Sequence, residues 1–130
     1  MRLITLPTPL ADWIDRHMPA VGGIRHVRIY ATRRLPFQWL FDRRERFDGL
    51  TLWNCIYLRE RACATPGREW VALLLHELVH VQQFRRSRII FPLSYLLRLA
   101  RHGYWNHPAE LEARDVSEQL YQRYCEEMDY

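Results

Sequence analysis

His76-Glu77-Leu78-Val79-His80, set within the apolar run 70–84, is the stretch whose reading decides the fold. On an α-helix, positions four apart stand one turn above each other, so His76 and His80 present two imidazoles on one face at the spacing of metal ligands. Glu77 lies about 100° round the same helix, close enough to polarise a water on that metal without binding the metal itself. An H-E-x-x-H run of this kind supplies two zinc-ligating nitrogens and a general base. Trp70, Val71, Leu73, Leu74, Leu75, Leu78, Val79 and Val81 make the helix apolar almost all round, the pattern of a buried central helix. Two imidazoles and a carboxylate in such surroundings need partners, and a bound cation provides them. The competing reading is a pair of hydrogen-bonded core histidines beside a salt-bridged Glu77.

Working outward, Thr65-Pro66-Gly67 offers an N-cap with proline at the first helical position, and the helix is expected to continue to about Arg86. Glu69, Leu73, His76, His80 and Gln83 share its ligand stripe. Arg85, Arg86 and Arg88 follow, where cations suit the negative pole of a helix. Upstream, residues 50–58 (Leu-Thr-Leu-Trp-Asn-Cys-Ile-Tyr-Leu) form a β-rich run after the Asp48-Gly49 turn signal, read as one bent strand or two short ones broken near Asn54. A free strand edge beside a metal helix can pair with an extended peptide through main-chain hydrogen bonds. Residues 24–31 alternate, with Val27, Ile29 and Ala31 on one face and His26, Arg28 and Tyr30 on the other, the period of a half-exposed strand.

A short helix is expected from Thr8 or Pro9 to about His17, burying Leu10, Trp13 and Ile14, and ended by Pro19 and Gly22-Gly23. Residues 32–48 read as an irregular loop in which Phe37, Trp39 and Phe41 tuck onto the core while the arginines stay wet. Downstream, residues 89–101 read as an amphipathic segment with Leu93, Leu96, Leu97 and Ala100 facing inward and Gly103 as terminator. Flanking arginines also suit that segment to a membrane surface. The last helix begins at Pro108, capped by Asn106 or His107, and runs to about Glu126 with Ala109, Ala113, Val116, Leu120 and Tyr124 as its buried stripe. Small side chains at Ala109 and Ala113 allow a close approach to the metal helix.

A chain of 130 residues with 48% apolar and 13% aromatic content is expected to be one folded domain, 1–130, with a modest core. Its formal charge is +4, and all 19 basic residues are arginine. The arginines are spread along the chain and no nucleic-acid motif is present, so a specific nucleic-acid binder is disfavoured. Cys55, Cys63 and Cys125 form neither a disulfide framework nor a zinc-site spacing, which favours a reducing compartment. The N-terminus lacks the continuous apolar core of a signal peptide, and no window is long and apolar enough for a membrane span. Together these features read as a soluble, cytoplasmic protein; no feature sets an oligomeric state.

Two histidines do not complete a catalytic zinc site, which normally has three protein ligands and one open position. Glu110, Glu112, Asp115, His102 and His107 are the downstream candidates. Glu110 and Glu112 flank the apolar stripe of the last helix about equally, roughly 80° to either side, so helical geometry alone does not choose. Tyr121 and Met128 lie on the Glu110 side, whereas Gln119 and Arg123 lie on the Glu112 side, a mild argument for Glu110.

With these residues in view, the chain resembles the gluzincin branch of zinc metallopeptidases, in which a glutamate from a following helix joins H-E-x-x-H. The resemblance rests on His76-Glu77-Leu78-Val79-His80 with Gln83 after it, and on His107-Pro108-Ala109-Glu110-Leu111-Glu112-Ala113. It is similar to the small, minimal members, whose second motif reads E-x-x-A followed by Asp or Asn. Matching that alanine to Ala113 implies Glu110 as third ligand. Arg114 stands where Asp or Asn is usual, so the group orienting a ligand histidine is expected from Asp115, Glu112 or Glu69.

The resemblance implies an α+β, zincin-like domain: a short N-terminal helix, a small twisted sheet, a central H-E-x-x-H helix and a C-terminal ligand-bearing helix. It implies Zn2+ held by His76, His80 and Glu110, with Glu77 as general base in hydrolysing a peptide or protein substrate. Tyr104 and His107, just ahead of the ligand helix, are the candidates for a second donor to the developing oxyanion. The alternative from another class is a non-catalytic zinc-containing domain that binds a peptide or partner protein.

Overall fold

The computed structural model describes residues 1–36, 47–64, 69–103 and 107–128. In chain order the described elements are β1 (Arg2–Leu3), α1 (Thr8–His17), two single 3₁₀ turns (Pro19–Val21 and Ile24–His26), β2 (Arg28–Thr32), β3 (Gly49–Leu52), β4 (Cys55–Arg59), α2 (Glu60–Ala64), α3 (Glu69–Arg86), α4 (Ile90–His102) and α5 (Pro108–Glu127). The architecture is α+β, with one mixed sheet in the order β1-β2-β4-β3 and the helices around it. β2 and β4 run parallel in the middle, and β1 and β3 flank them antiparallel.

Alternation explains the sheet. Ile29 and Ala31 of β2 stand beside Ile56 and Leu58 of β4, and all four are buried. Tyr30 and Tyr57, on the opposite face, stack with ring centroids 5.5 Å apart. The apolar face meets α3, whose Leu74, Leu75, Leu78, Val79 and Val81 are fully enclosed, and the same cluster takes in Leu10, Trp13 and Ile14 of α1 and Ala113 and Tyr124 of α5. Each such aliphatic side chain stabilises the fold by roughly 1.5–3 kcal/mol. Trp13 also fastens the two ends of the chain: its indole N–H donates to Glu127 Oε2 at 2.6 Å, and its ring meets Tyr124 edge-on.

The strand expected over 24–31 begins later, at Arg28. Gly22 and Gly23, at φ 84 and 98, turn the chain, and the Ile24 amide then bonds to Asp15 Oδ1 at 2.8 Å, closing a 3₁₀ turn where the strand was expected to start. Residues 50–58 resolve into the hairpin β3–β4, turning at Trp53-Asn54 near the expected break. Trp53 adopts φ 55, a conformation that costs a bulky residue about 1–2 kcal/mol. Its indole N–H donates to the Arg88 carbonyl at 2.9 Å and its ring leans on Phe84, while Asn54 Nδ2 donates to the His26 carbonyl at 2.9 Å. These contacts hold the turn. The aromatics of the expected loop, Phe37, Trp39 and Phe41, lie outside the described residues, as does the Thr65-Pro66-Gly67 cap.

The expected inward face of α4 is overturned. Leu93, Leu96 and Leu97 are 65%, 62% and 74% exposed, and Phe91 and Tyr95 face the protein instead. A helix with apolar residues on two sides can bury only one of them against a single neighbour, and the aromatic side brings the larger contact area. Phe91 meets Phe84 of α3 at 4.7 Å, and Tyr95 stacks on His107 at 4.0 Å.

α5 packs on α3 through Ala113, which is fully buried, while Ala109, Val116 and Leu120 are only partly covered. The enclosed line runs through Glu110, Ala113, Ser117 and Tyr124, so the helix is rotated toward its Glu110 side relative to the stripe expected from hydrophobicity. Replacing Ala113 with Leu is expected to force α5 away from α3, costing about 1–3 kcal/mol in a denaturant titration. The same change should draw Glu110, carried on the displaced helix, away from His76 and His80.

Candidate metal centre

Two imidazoles on a helix can hold a metal only if a third donor reaches them, and α5 brings a carboxylate there. Glu110 stands in the first turn of α5 and is 1% exposed. Its Oε1 lies 3.3 Å from His76 Nε2 and 2.9 Å from His80 Nε2, and Oε2 is also 2.9 Å from His80 Nε2. One donor atom from each of His76, His80 and Glu110 lies within 4.8 Å of the others, the one such group of three among the described residues. Glu112 points elsewhere and takes Arg86 Nη2 at 2.8 Å.

The tautomers follow from the hydrogen bonds. Gln83 Nε2 faces two acceptors, the Ala109 carbonyl at 3.0 Å and Glu112 Oε1 at 3.1 Å, so the Gln83 amide cannot be reversed. Its Oε1 must therefore accept from His80 Nδ1, 2.8 Å away. With Nδ1 carrying a proton, Nε2 is the nitrogen turned to the centre, the arrangement a ligating imidazole requires. The orienting group is Gln83, one turn beyond His80 on the same helix. Of the carboxylates expected in that role, Glu112 lies one step further out, holding Gln83, and Asp115 is exposed. The side chain of Glu69 lies outside the described residues.

Electrostatics show the centre's need for positive charge. Burial alone would lower the His80 imidazolium, but hydrogen bonding and charge from Glu110 outweigh it and push His80 up to about 9. Burial would raise Glu110, yet the two histidines hold it well below the usual carboxylate range. Even so, Glu110 Oε2 is buried with no aligned hydrogen bond among the described residues. A donor set of two imidazoles and a carboxylate, with one carboxylate oxygen lacking an aligned hydrogen bond, fits a divalent ion such as zinc. Zinc bonds near 2.1 Å would separate tetrahedral donors by about 3.4 Å, and Glu110 Oε1 stands 3.3 and 2.9 Å from the two histidine Nε2 atoms. Solvent reaches the cluster from the His76 side, where the side chain is 15% exposed against 2% for Glu110.

Glu77 faces the sheet. Thr51 Oγ1 of β3 donates to Glu77 Oε2 at 2.6 Å, and a Cβ built on Gly49 would lie 2.7 Å from Glu77 Oε1. A side chain at Gly49 would therefore push the carboxylate aside where the strand passes it. Burial raises the Glu77 carboxyl above its ordinary value, against the opposing pull of His80, His76 and the Thr51 hydroxyl.

Of the two proposed oxyanion donors, Tyr104 lies outside the described residues. His107 is buried as the cap of α5: its Nδ1 accepts from the Ala109 amide at 3.0 Å and its Nε2 donates to the Tyr95 carbonyl at 2.8 Å. In this geometry its ring N–H is committed to the fold. Tyr95 of α4, given no role by the sequence, stacks on His107, and burial first, then the Glu110 and Glu77 carboxylates, push its phenol above the usual range. Thr51 and Gly49 were likewise missed as site residues; a glycine opening a strand just before a metal helix was the available signal.

No family model, curated protein or solved structure matches this chain.

In the metal-free protein His80 is raised, so its contribution to stability is complete below about pH 6.5 and is lost as pH climbs through about 9. Glu110 is depressed, so its contribution holds above about pH 4.5 and is lost on acidification. Glu77 is raised by burial, so its contribution is complete below about pH 4.5 and falls away as pH rises above that. Thermal melts of the metal-free protein should therefore peak on the acid side of neutrality, whereas the gain from added zinc should grow from pH 6 toward 9 as zinc displaces the proton on His80. Gln83→Ala should weaken zinc binding by roughly 10–100-fold in calorimetry at pH 7.

Proposed function

We propose that this chain is a small zinc-dependent peptidase of the gluzincin kind on a zincin-like fold. One observation carries the reading: a buried carboxylate, Glu110, with an oxygen lacking an aligned hydrogen bond, lies against the two imidazoles of an H-E-x-x-H helix. His76, His80 and Glu110 would hold zinc, which supplies a Lewis acid and lowers the pKa of water toward about 7.

The chain's own groups do the remainder. Glu77 is the general base: Thr51 holds its Oε2, leaving Oε1, against Gly49, to take a proton and return it to the leaving amine. Its raised carboxyl suits that exchange, since a base works best with a pKa near the operating pH. β3 is an edge strand of the described sheet, and it carries Thr51. An extended peptide pairing with that edge would run past Glu77 with its main chain held by hydrogen bonds. Gln83 fixes the His80 ring, so the ligand does not have to reorient during turnover.

The test is peptide hydrolysis by the zinc-loaded chain, with metal content measured on every sample. Wild type should hold about one zinc per chain. Glu77→Gln should keep its zinc and lose at least about a hundredfold in kcat/KM, and His80→Ala should lose the metal itself. Gly49→Ala should retain zinc and stability but slow turnover, because the added methyl displaces the Glu77 carboxylate. A folded, zinc-loaded wild type that cleaves nothing in a broad peptide library would overturn the catalytic reading in favour of a zinc-containing binding domain.

A further inference from the structure

The outer face of α4 is a bare branched-apolar stripe. Ile90, Leu93, Leu96 and Leu97 are 71%, 65%, 62% and 74% exposed, and Ile89, just before the helix, is 74% exposed. On a period of 3.6 residues these positions cover about 120° of one side. A contiguous patch of this kind on a soluble domain marks an interaction surface.

The surrounding charges identify the partner. Residues 85–103 contain five arginines and no acidic residue. Arg86 pairs with Glu112 and the Arg85 guanidinium lies beside Gly22, but Arg88, Arg98 and Arg101 are exposed and pair with no described carboxylate. Trp53 stands at the rim, 48% exposed, with its indole N–H on the Arg88 carbonyl. Apolar branches in the middle, an indole at the edge and unpaired guanidiniums without an opposing carboxylate fit one surface well: acyl chains beneath anionic headgroups. A symmetric contact with a second copy would instead bring arginine against arginine.

We propose that α4 docks this protein on anionic membrane surfaces, lying in the interface with Leu93 and Leu97 inserted and Arg88, Arg98 and Arg101 on the headgroups. No described helix is long and apolar enough to cross a membrane, so the contact is peripheral. The inner face, Phe91 and Tyr95, stays packed on Phe84 and His107. Docking would hold the metal centre about one helix diameter, roughly 10 Å, from the bilayer surface. The proposal does not depend on zinc or on hydrolysis.

Flotation of the full chain with phosphatidylcholine vesicles, with and without phosphatidylglycerol, tests it. The expected result is recovery with the anionic vesicles, with three arginines giving roughly a hundredfold preference over the zwitterionic ones. That preference should fall away near 1 M salt, where the screening length is about 3 Å. Leu93→Ser with Leu97→Ser should abolish flotation while circular dichroism stays unchanged, since both side chains are already in solvent. Arg98→Ser with Arg101→Ser should remove most of the anionic preference. Equal binding to both vesicle types, or none to either by a folded chain, overturns the proposal. So does a dimer in sedimentation velocity that the double leucine variant dissolves without any vesicle binding having been seen.

Discussion

Glu110 is a carboxylate enclosed at the contact between two helices, and such a charge costs several kcal/mol unless positive charge meets it there. His76 and His80 are the groups that meet it. Without a metal, His80 must carry a second proton to do so; with one, the proton gives way to the ion. The close seating of α5 on α3 follows from the same requirement, because Glu110 reaches the imidazoles only where Ala113 lets the helix backbones approach. Behind the ligands a chain of hydrogen bonds runs from Arg86 through Glu112 and Gln83 to His80. It begins on the exposed Arg86 and ends at a buried ring whose tautomer it fixes.

An adjacent side of α3, about 80° round from the two histidines, is organised by a second carboxylate. Glu77 is buried against β3, and the strand accommodates it by presenting Thr51 as a donor and Gly49 as a gap. The edge strand and the helix are therefore joined at the residue proposed as base. A slip of one position in β3 would put Leu50 or Leu52 where Thr51 stands and break that bond, so the pairing of β3 with β4 matters to the site as well as to the sheet. α4 closes the arrangement from a third direction through the sequence Trp53, Phe84, Phe91, Tyr95 and His107, each ring in contact with the next. Its outer side takes no part in that packing.

Several of these features were legible in the residues. The apolar wrap of 70–84 announced a buried helix, and the four-residue spacing of its histidines placed them on one face, because both properties depend only on the period of the helix. The alternation of 24–31 and the break at Asn54 announced short strands for the same kind of reason, although the first of them begins only at Arg28. Other features were not. For residues 89–101 the period marked a helix but turned Leu93, Leu96 and Leu97 inward, the wrong side, since Phe91 and Tyr95 compete with them for one neighbour. The choice between Glu110 and Glu112, symmetric about the hydrophobic stripe, likewise had no answer in periodicity.

The sequence by itself determined the local chemistry: which residues lie on a common helix face, where strands begin to alternate, and that two imidazoles and a carboxylate are carried on one apolar rod. Only the tertiary structure decided which groups complete them. The rotation of α5 that turns Glu110 inward, the approach of Thr51 to Glu77 and the outward stripe of α4 all arise from contacts between elements far apart in the chain. Those contacts depend on shape and area at each interface, which the period of a single element does not carry.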